Sequence, residues 1–170
     1  MNLVKKLNDY FNLIEESINS PREITWENLE NSLIGYFYID NIKYRIECLN
    51  QIGNNYSYSF SYLNNNKWKY ELSNLGTSGF SVLSTISIGV DYLQNKYNPN
   101  SIIFSAIDDS DVRKRLYEKK CKQFCDKYNY KLSNRGNDDK IIFVLFKDNI
   151  SISEKEEIFN SVKKVIEQGK

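Results

Sequence analysis

Lys67-Trp68-Lys69-Tyr70-Glu71-Leu72-Ser73, then Asn74-Leu75-Gly76-Thr77-Ser78-Gly79, then the run from Phe80 to Tyr97, then Ser101-Ile102-Ile103-Phe104-Ser105-Ala106-Ile107: this stretch decides the architecture. Trp68, Tyr70 and Leu72 alternate with polar neighbours, which is the period of a strand. The glycine-containing turn follows. Phe80, Leu83, Ile86, Val90, Leu93 and Tyr97 then recur at helical spacing, and Asp91 and Lys96 are the only charges in that helix, so it is predicted to be largely buried. Asn98-Pro99-Asn100 ends it. Strand, helix and strand of these lengths make a crossover unit, so the strands at 67–73 and 101–107 are predicted to lie parallel with a right-handed connection. The turn presents free backbone N–H groups at the positive end of a helix dipole, a place for an anion and most often a phosphate.

Downstream, Asp108-Asp109-Ser110-Asp111 opens a helix running to about Tyr128, with Val112, Leu116 and Phe124 on a Lys-rich amphipathic surface. Tyr130 to Ser133 and Lys140 to Lys147 are predicted as a hairpin. Ser153-Glu154-Lys155-Glu156 has the form of a capping box and starts a last helix, with Ile158, Phe159, Val162, Val165 and Ile166 inward. Upstream, Leu3 to Ile18 has helical periodicity, and Ser20-Pro21 breaks it. A short strand or turn is expected around Ile24-Trp26. Leu33 to Ile39 and Ile42 to Leu49 flank Asp40-Asn41, a tight hairpin turn. From Tyr56 to Leu63 tyrosine and phenylalanine alternate with serine, as in a half-buried antiparallel strand. Asn64-Asn65-Asn66 turns the chain into the strand at 67–73. The chain therefore reads as a single α+β domain over residues 1–170, a mostly antiparallel mixed sheet with one parallel crossover and helices on both faces.

Composition narrows the function. Apolar residues make up 41% and charged residues 26%, the balance of a globular domain. Twenty-three Lys and Arg against 22 Asp and Glu leave a net charge of +1, which disfavours a dedicated nucleic-acid binder. The chain has no histidine. That excludes His-based triads and the common zinc catalysts, and leaves acid–base work to Asp, Glu, Tyr, Cys or Lys. Cys48, Cys121 and Cys125 read as thiols in a reducing cytoplasm, and without histidine no metal site is expected. No apolar run reaches the roughly 20 residues that span a bilayer, and the start of the chain lacks the apolar core of a signal peptide.

The element order, the Gly76 turn, the strand ending at Ala106 and the sequence Arg113-Lys114-Arg115-Leu116-Tyr117 resemble the GNAT family of acyltransferases. The segment Asn74 to Tyr117 is most similar to uncharacterised GNAT-like proteins encoded by phages, in which Arg-x-x-Leu-Tyr recurs; Arg113, Leu116 and Tyr117 match it. The resemblance covers about half the chain. It implies that loop amides hold the pyrophosphate of acetyl-CoA, that the pantetheine arm lies where two parallel strands splay apart, and that a helix tyrosine protonates the leaving thiolate. Carried over, the cofactor site comprises Asn74, Gly76, Thr77, Ser78, Gly79 and Arg113, and Tyr117 is the acid. Gly76 matches the family loop, whereas Ser73 stands where Arg or Gln is expected and Ser78 where Gly or Ala is expected. A second register, from Gly76 to Ser81, also fits in part.

Three functions stay open on the sequence. In an acyl-CoA-dependent N-acyltransferase, Glu71 or Asp108 would take the amine proton, directly or through a water, and Tyr117 would serve the thiolate. A catalytically inactive GNAT-like module of phage or mobile-element origin would instead bind a host or phage protein, such as a host defence component. A row of bare rings at Tyr56, Tyr58, Phe60 and Tyr62 would stack on single-stranded nucleic acid. An open groove between the parallel strands favours the first, a groove filled by side chains such as Phe80 the second, and solvent-exposed tyrosines the third.

Overall fold

Paired asparagine and aspartate residues set the sheet. Asp40 and Asn41 have φ of 50° and 64°, and Asn65 and Asn66 have φ of 48° and 59°. Two successive left-handed residues make the two-residue turn whose twist matches flanking strands, and Asn and Asp tolerate that conformation best. A computed structural model describes residues 20–51, 53–70, 79–107, 111–136 and 140–168. In it the strands are β1 (Thr25–Leu29), β2 (Ser32–Ile39), β3 (Ile42–Asn50), β4 (Asn55–Asn64), β5 (Lys67–Lys69), β6 (Ser101–Ile107), β7 (Tyr130–Gly136) and β8 (Lys140–Lys147). The described helices are α1 (Gly79–Tyr97), α2 (Asp111–Tyr128) and α3 (Ile152–Gln168).

One eight-stranded sheet runs β1-β2-β3-β4-β6-β8-β7, with β5 on the side of β4. Every pairing is antiparallel except β4 with β6. Helices cover both faces. Alternation along β6 and β8 sends Ile102, Phe143 and Leu145 into a large core with α1 and α2, and Ile103, Ile142 and Val144 into a smaller one with Ile158 of α3. This is the mixed α+β architecture expected; the helix expected over Leu3 to Ile18 lies outside the described residues.

The crossover differs from expectation in its first strand. The described strand after the Asn65-Asn66 turn is only Lys67–Lys69, and it runs antiparallel to β4 through Leu63–Trp68. The parallel partner of β6 is β4, from Asn55–Ser101 to Tyr58–Phe104. The tight turn folds β5 back onto β4's own outer edge. That edge is therefore shared, with β5 at one end and β6 at the other.

The uncharged helix α1 is buried as expected. Val82, Thr85 and Leu93 are fully enclosed. Two of its hydroxyls return to its own backbone, Thr85 Oγ1 to Ser81 O at 2.8 Å and Ser87 Oγ to Leu83 O at 2.9 Å, so these enter the core already bonded. Trp26 stacks on Tyr92 at 4.5 Å between ring centroids. At Gly89 the helix touches the sheet: a Cβ there would sit 2.6 Å from Tyr58 Oη and 2.7 Å from Ile46 Cδ1.

The far end of α1 is fastened. Asn98 takes φ of 46°, a left-handed cap. Asn54 Nδ2 donates to the carbonyls of Tyr97 and Asn98 at 3.3 and 3.0 Å, and Lys147 Nζ donates to Asn98 O at 2.8 Å. Those bonds satisfy carbonyls that a helix end leaves open. The cap of α3 lies two residues before its expected place. Ser151 Oγ accepts from Glu154 N at 3.2 Å, and Glu154 Oε2 accepts from Ser151 N at 2.8 Å. Both serines have an acidic residue three places on, and the burial of Ile150 just before Ser151 selects the first.

Candidate functional site

β4 and β6 are neighbours for four residue pairs and then part. Beyond Tyr58–Phe104, β4 continues to Asn64 beside β3 and β5, while β6 continues to Ile107 beside β8. Phe104 leans toward β8, stacked on Phe143 at 5.1 Å, with Tyr117 edge-on at 5.7 Å. Because the C-terminus of α1 is fastened beside the start of β4, its N-terminus at Gly79 lies at the opposite end, where the strands part. The helix α2 follows the C-terminus of β6 and starts at that same end. The carboxyl ends of parallel strands, with helix N-termini above them, are where open sheets most often take ligands.

Behind the parting lies a cavity of about 190 Å³ between α1, α2 and the sheet. Tyr58 and Phe60 of β4, Ile102 and Phe104 of β6 and Leu145 of β8 form its floor. Leu83, Ile86, Ser87 and Val90 of α1 face Tyr117, Cys121 and Phe124 of α2. Several polar groups of its walls are bonded within the protein. Tyr58 Oη donates to Ile86 O at 2.7 Å, and burial holds its pKa well above the ordinary phenol value. Lys127 Nζ meets Asp91 Oδ2 at 2.9 Å, joining α2 to α1; this bond raises the lysine pKa.

Of the residues proposed from the sequence, Tyr117 is placed on the cavity wall and is buried. Gly79 opens α1, and Arg113 belongs to the first turn of α2. Glu71, Asn74, Gly76, Thr77, Ser78 and Asp108 lie outside the described residues. Sequence reasoning passed over Phe60, Leu83, Ser87, Val90, Asp91 and Lys127 as cavity residues. Asp91 alone carried a signal, as one of two charges in an otherwise uncharged helix.

The tyrosine row is covered. Tyr56 and Tyr58 are buried, and Tyr56 stacks on Tyr97 at 5.3 Å. It offers no open platform to bases. All three cysteines are buried and free. Burial pushes the thiol of Cys48 up to about 12 and that of Cys125 up to about 11, and raises Cys121 as well. Thiolate is the reactive form, so native protein at pH 8 will label slowly with a thiol reagent and denatured protein will label at three sites. Rapid native labelling would refute this packing. Among the described residues no cluster of three or more His, Cys, Asp or Glu could hold a metal ion, and no helix is long and apolar enough to cross a membrane.

No family model matches the chain, and no curated protein matches it. Among solved structures, the spermidine N-acetyltransferase SpeG of Vibrio cholerae, as a point mutant, is similar at a TM-score of 0.44 and 12% identity, over 82% of this chain and 74% of that one. A likeness at this level assigns no role to any residue.

Proposed function

We propose that the protein is an acyl-CoA-dependent N-acyltransferase of GNAT type. The observation that carries this reading is the parting of β4 and β6 after Tyr58–Phe104, with a cavity behind it and Tyr117 on its wall. Strands that part expose the backbone edge of β4 between Ser59 and Ser61, free of a neighbour on that side among the described residues. Edge N–H and C=O groups suit the two amides of a pantetheine arm, which would add there like a short strand. The start of α1 at Gly79 would supply the positive end for the pyrophosphate, with residues 74–78 preceding it in sequence. Arg113, in the first turn of α2, is the cation that the family resemblance assigns to the same charges.

In the reaction the acceptor nitrogen attacks the thioester carbon. The C–N bond forms and the C–S bond breaks. The proton lost by the amine goes to Glu71 or Asp108, directly or through a water, and the departing thiolate takes a proton from Tyr117. Positioning of the thioester against the amine does most of the work.

Calorimetry with acetyl-CoA tests this, with Gly76→Glu alongside. Wild-type protein is expected to bind in the micromolar range and the variant to lose binding, since a carboxylate would then face the pyrophosphate. No binding of acetyl-CoA or of a longer acyl-CoA by the wild type at high concentration would end the acyltransferase reading and turn attention to protein partners.

A further inference from the structure

The cavity is narrow and lined mostly by apolar side chains. It follows α1 from Leu83 to Asp91, roughly 12 Å at ~1.5 Å per residue. Its volume of about 190 Å³, spread over that length, is one hydrocarbon chain thick. An apolar cavity of about 150 Å³ already takes a benzene ring and stays dry when empty. Two of the hydroxyls that reach it are bonded to α1 carbonyls, Tyr58 to Ile86 O at 2.7 Å and Ser87 to Leu83 O at 2.9 Å, and that of Tyr117 stands at the mouth. Asp91 and Lys127 bind each other at 2.9 Å across its far end. Burying an amide against such walls would leave it unsatisfied, whereas methylenes lose nothing there.

We infer that this slot is an acyl-chain pocket, and that the donor carries a linear acyl group of about six to eight carbons rather than acetyl. The inference rests on the acyltransferase reading and extends it. The thioester arm keeps the edge of β4, where backbone groups can meet its amides. The hydrocarbon passes Tyr117 and runs between α1 and α2 toward the Asp91–Lys127 pair. Lys120 on α2 lies beside the slot, a cation suited to a polyanionic carrier such as CoA.

The test compares octanoyl-CoA, acetyl-CoA and octanoate by calorimetry on the full chain and on two slot-filling variants, Leu83→Trp and Ser87→Phe. Each methylene taken into an apolar pocket multiplies affinity several-fold, so octanoyl-CoA is expected to bind at least tenfold more tightly than acetyl-CoA. Either variant that keeps its native circular dichroism should lose that preference and retain acetyl-CoA binding. Equal affinity for the two esters, or a preference unchanged in the folded variants, would overturn the inference and leave the acyltransferase reading in place. Octanoate binding that the variants abolish, with neither ester bound, would sustain the hydrocarbon pocket and overturn the acyltransferase.

Discussion

A Gly89→Val variant will unfold at a temperature roughly 6–12 °C below wild type, because about 3 kcal/mol of stability is lost in a domain of this size. The cause is the approach of α1 to the sheet. A Cβ at position 89 would lie 2.6 Å from Tyr58 Oη and 2.7 Å from Ile46 Cδ1. Tyr58 cannot retreat without giving up its bond to Ile86 O, and Ile46 is fully enclosed. Valine is a better helix former than glycine by only ~0.3 kcal/mol, so propensity does not rescue it. Gly89→Ala should fall between the two. Thermal melts of the three proteins decide the matter, and equal midpoints would mean that the helix stands farther from the sheet.

Tyr117→Phe will lower kcat about a hundredfold and leave the KM for the acyl donor near its wild-type value. The phenyl ring keeps the edge contact with Phe104 and the wall of the slot, so the fold and the donor site survive. On the proposed mechanism, what disappears is the proton for the thiolate. A donor with an aryl thiol leaving group needs no such proton, and with it the variant should recover most of its rate. Unchanged kcat with acyl-CoA would remove Tyr117 from the chemistry and leave it as a wall residue.

Much of the fold was legible because it is written in short range. The Asp40-Asn41 and Asn65-Asn66 turns, the stripe of α1 and the alternation of Tyr56 to Tyr62 each depend on residues a few places apart. The strand at 67–73 was misplaced for the complementary reason. Trp68, Tyr70 and Leu72 alternate as a strand should, but alternation does not say which edge a strand joins. That depended on a two-residue turn returning the chain to β4, and on β6 taking the other end of the same edge. The site divides in the same way. Tyr117 could be found from Arg113-x-x-Leu116-Tyr117, a local pattern. The slot could not, since its walls come from two helices and three strands, and the Asp91–Lys127 bond across it joins residues 36 positions apart.

The fastening at Asn54, Asn98 and Lys147 has a mechanical consequence. It acts as a pivot at one end of α1, while Gly79 at the other end stands over the parted strands. A force that separates α1 from α2 therefore swings the helix and does not lift it, so that displacement grows steadily from the Asn98 end to the Gly79 end. On the function proposed above the fold would act as a clothes-peg, with the bonded end as its hinge and the two helix starts as its jaws, the swing limited by the bonds from Tyr58 Oη to Ile86 O and from Arg22 N to Thr85 Oγ1.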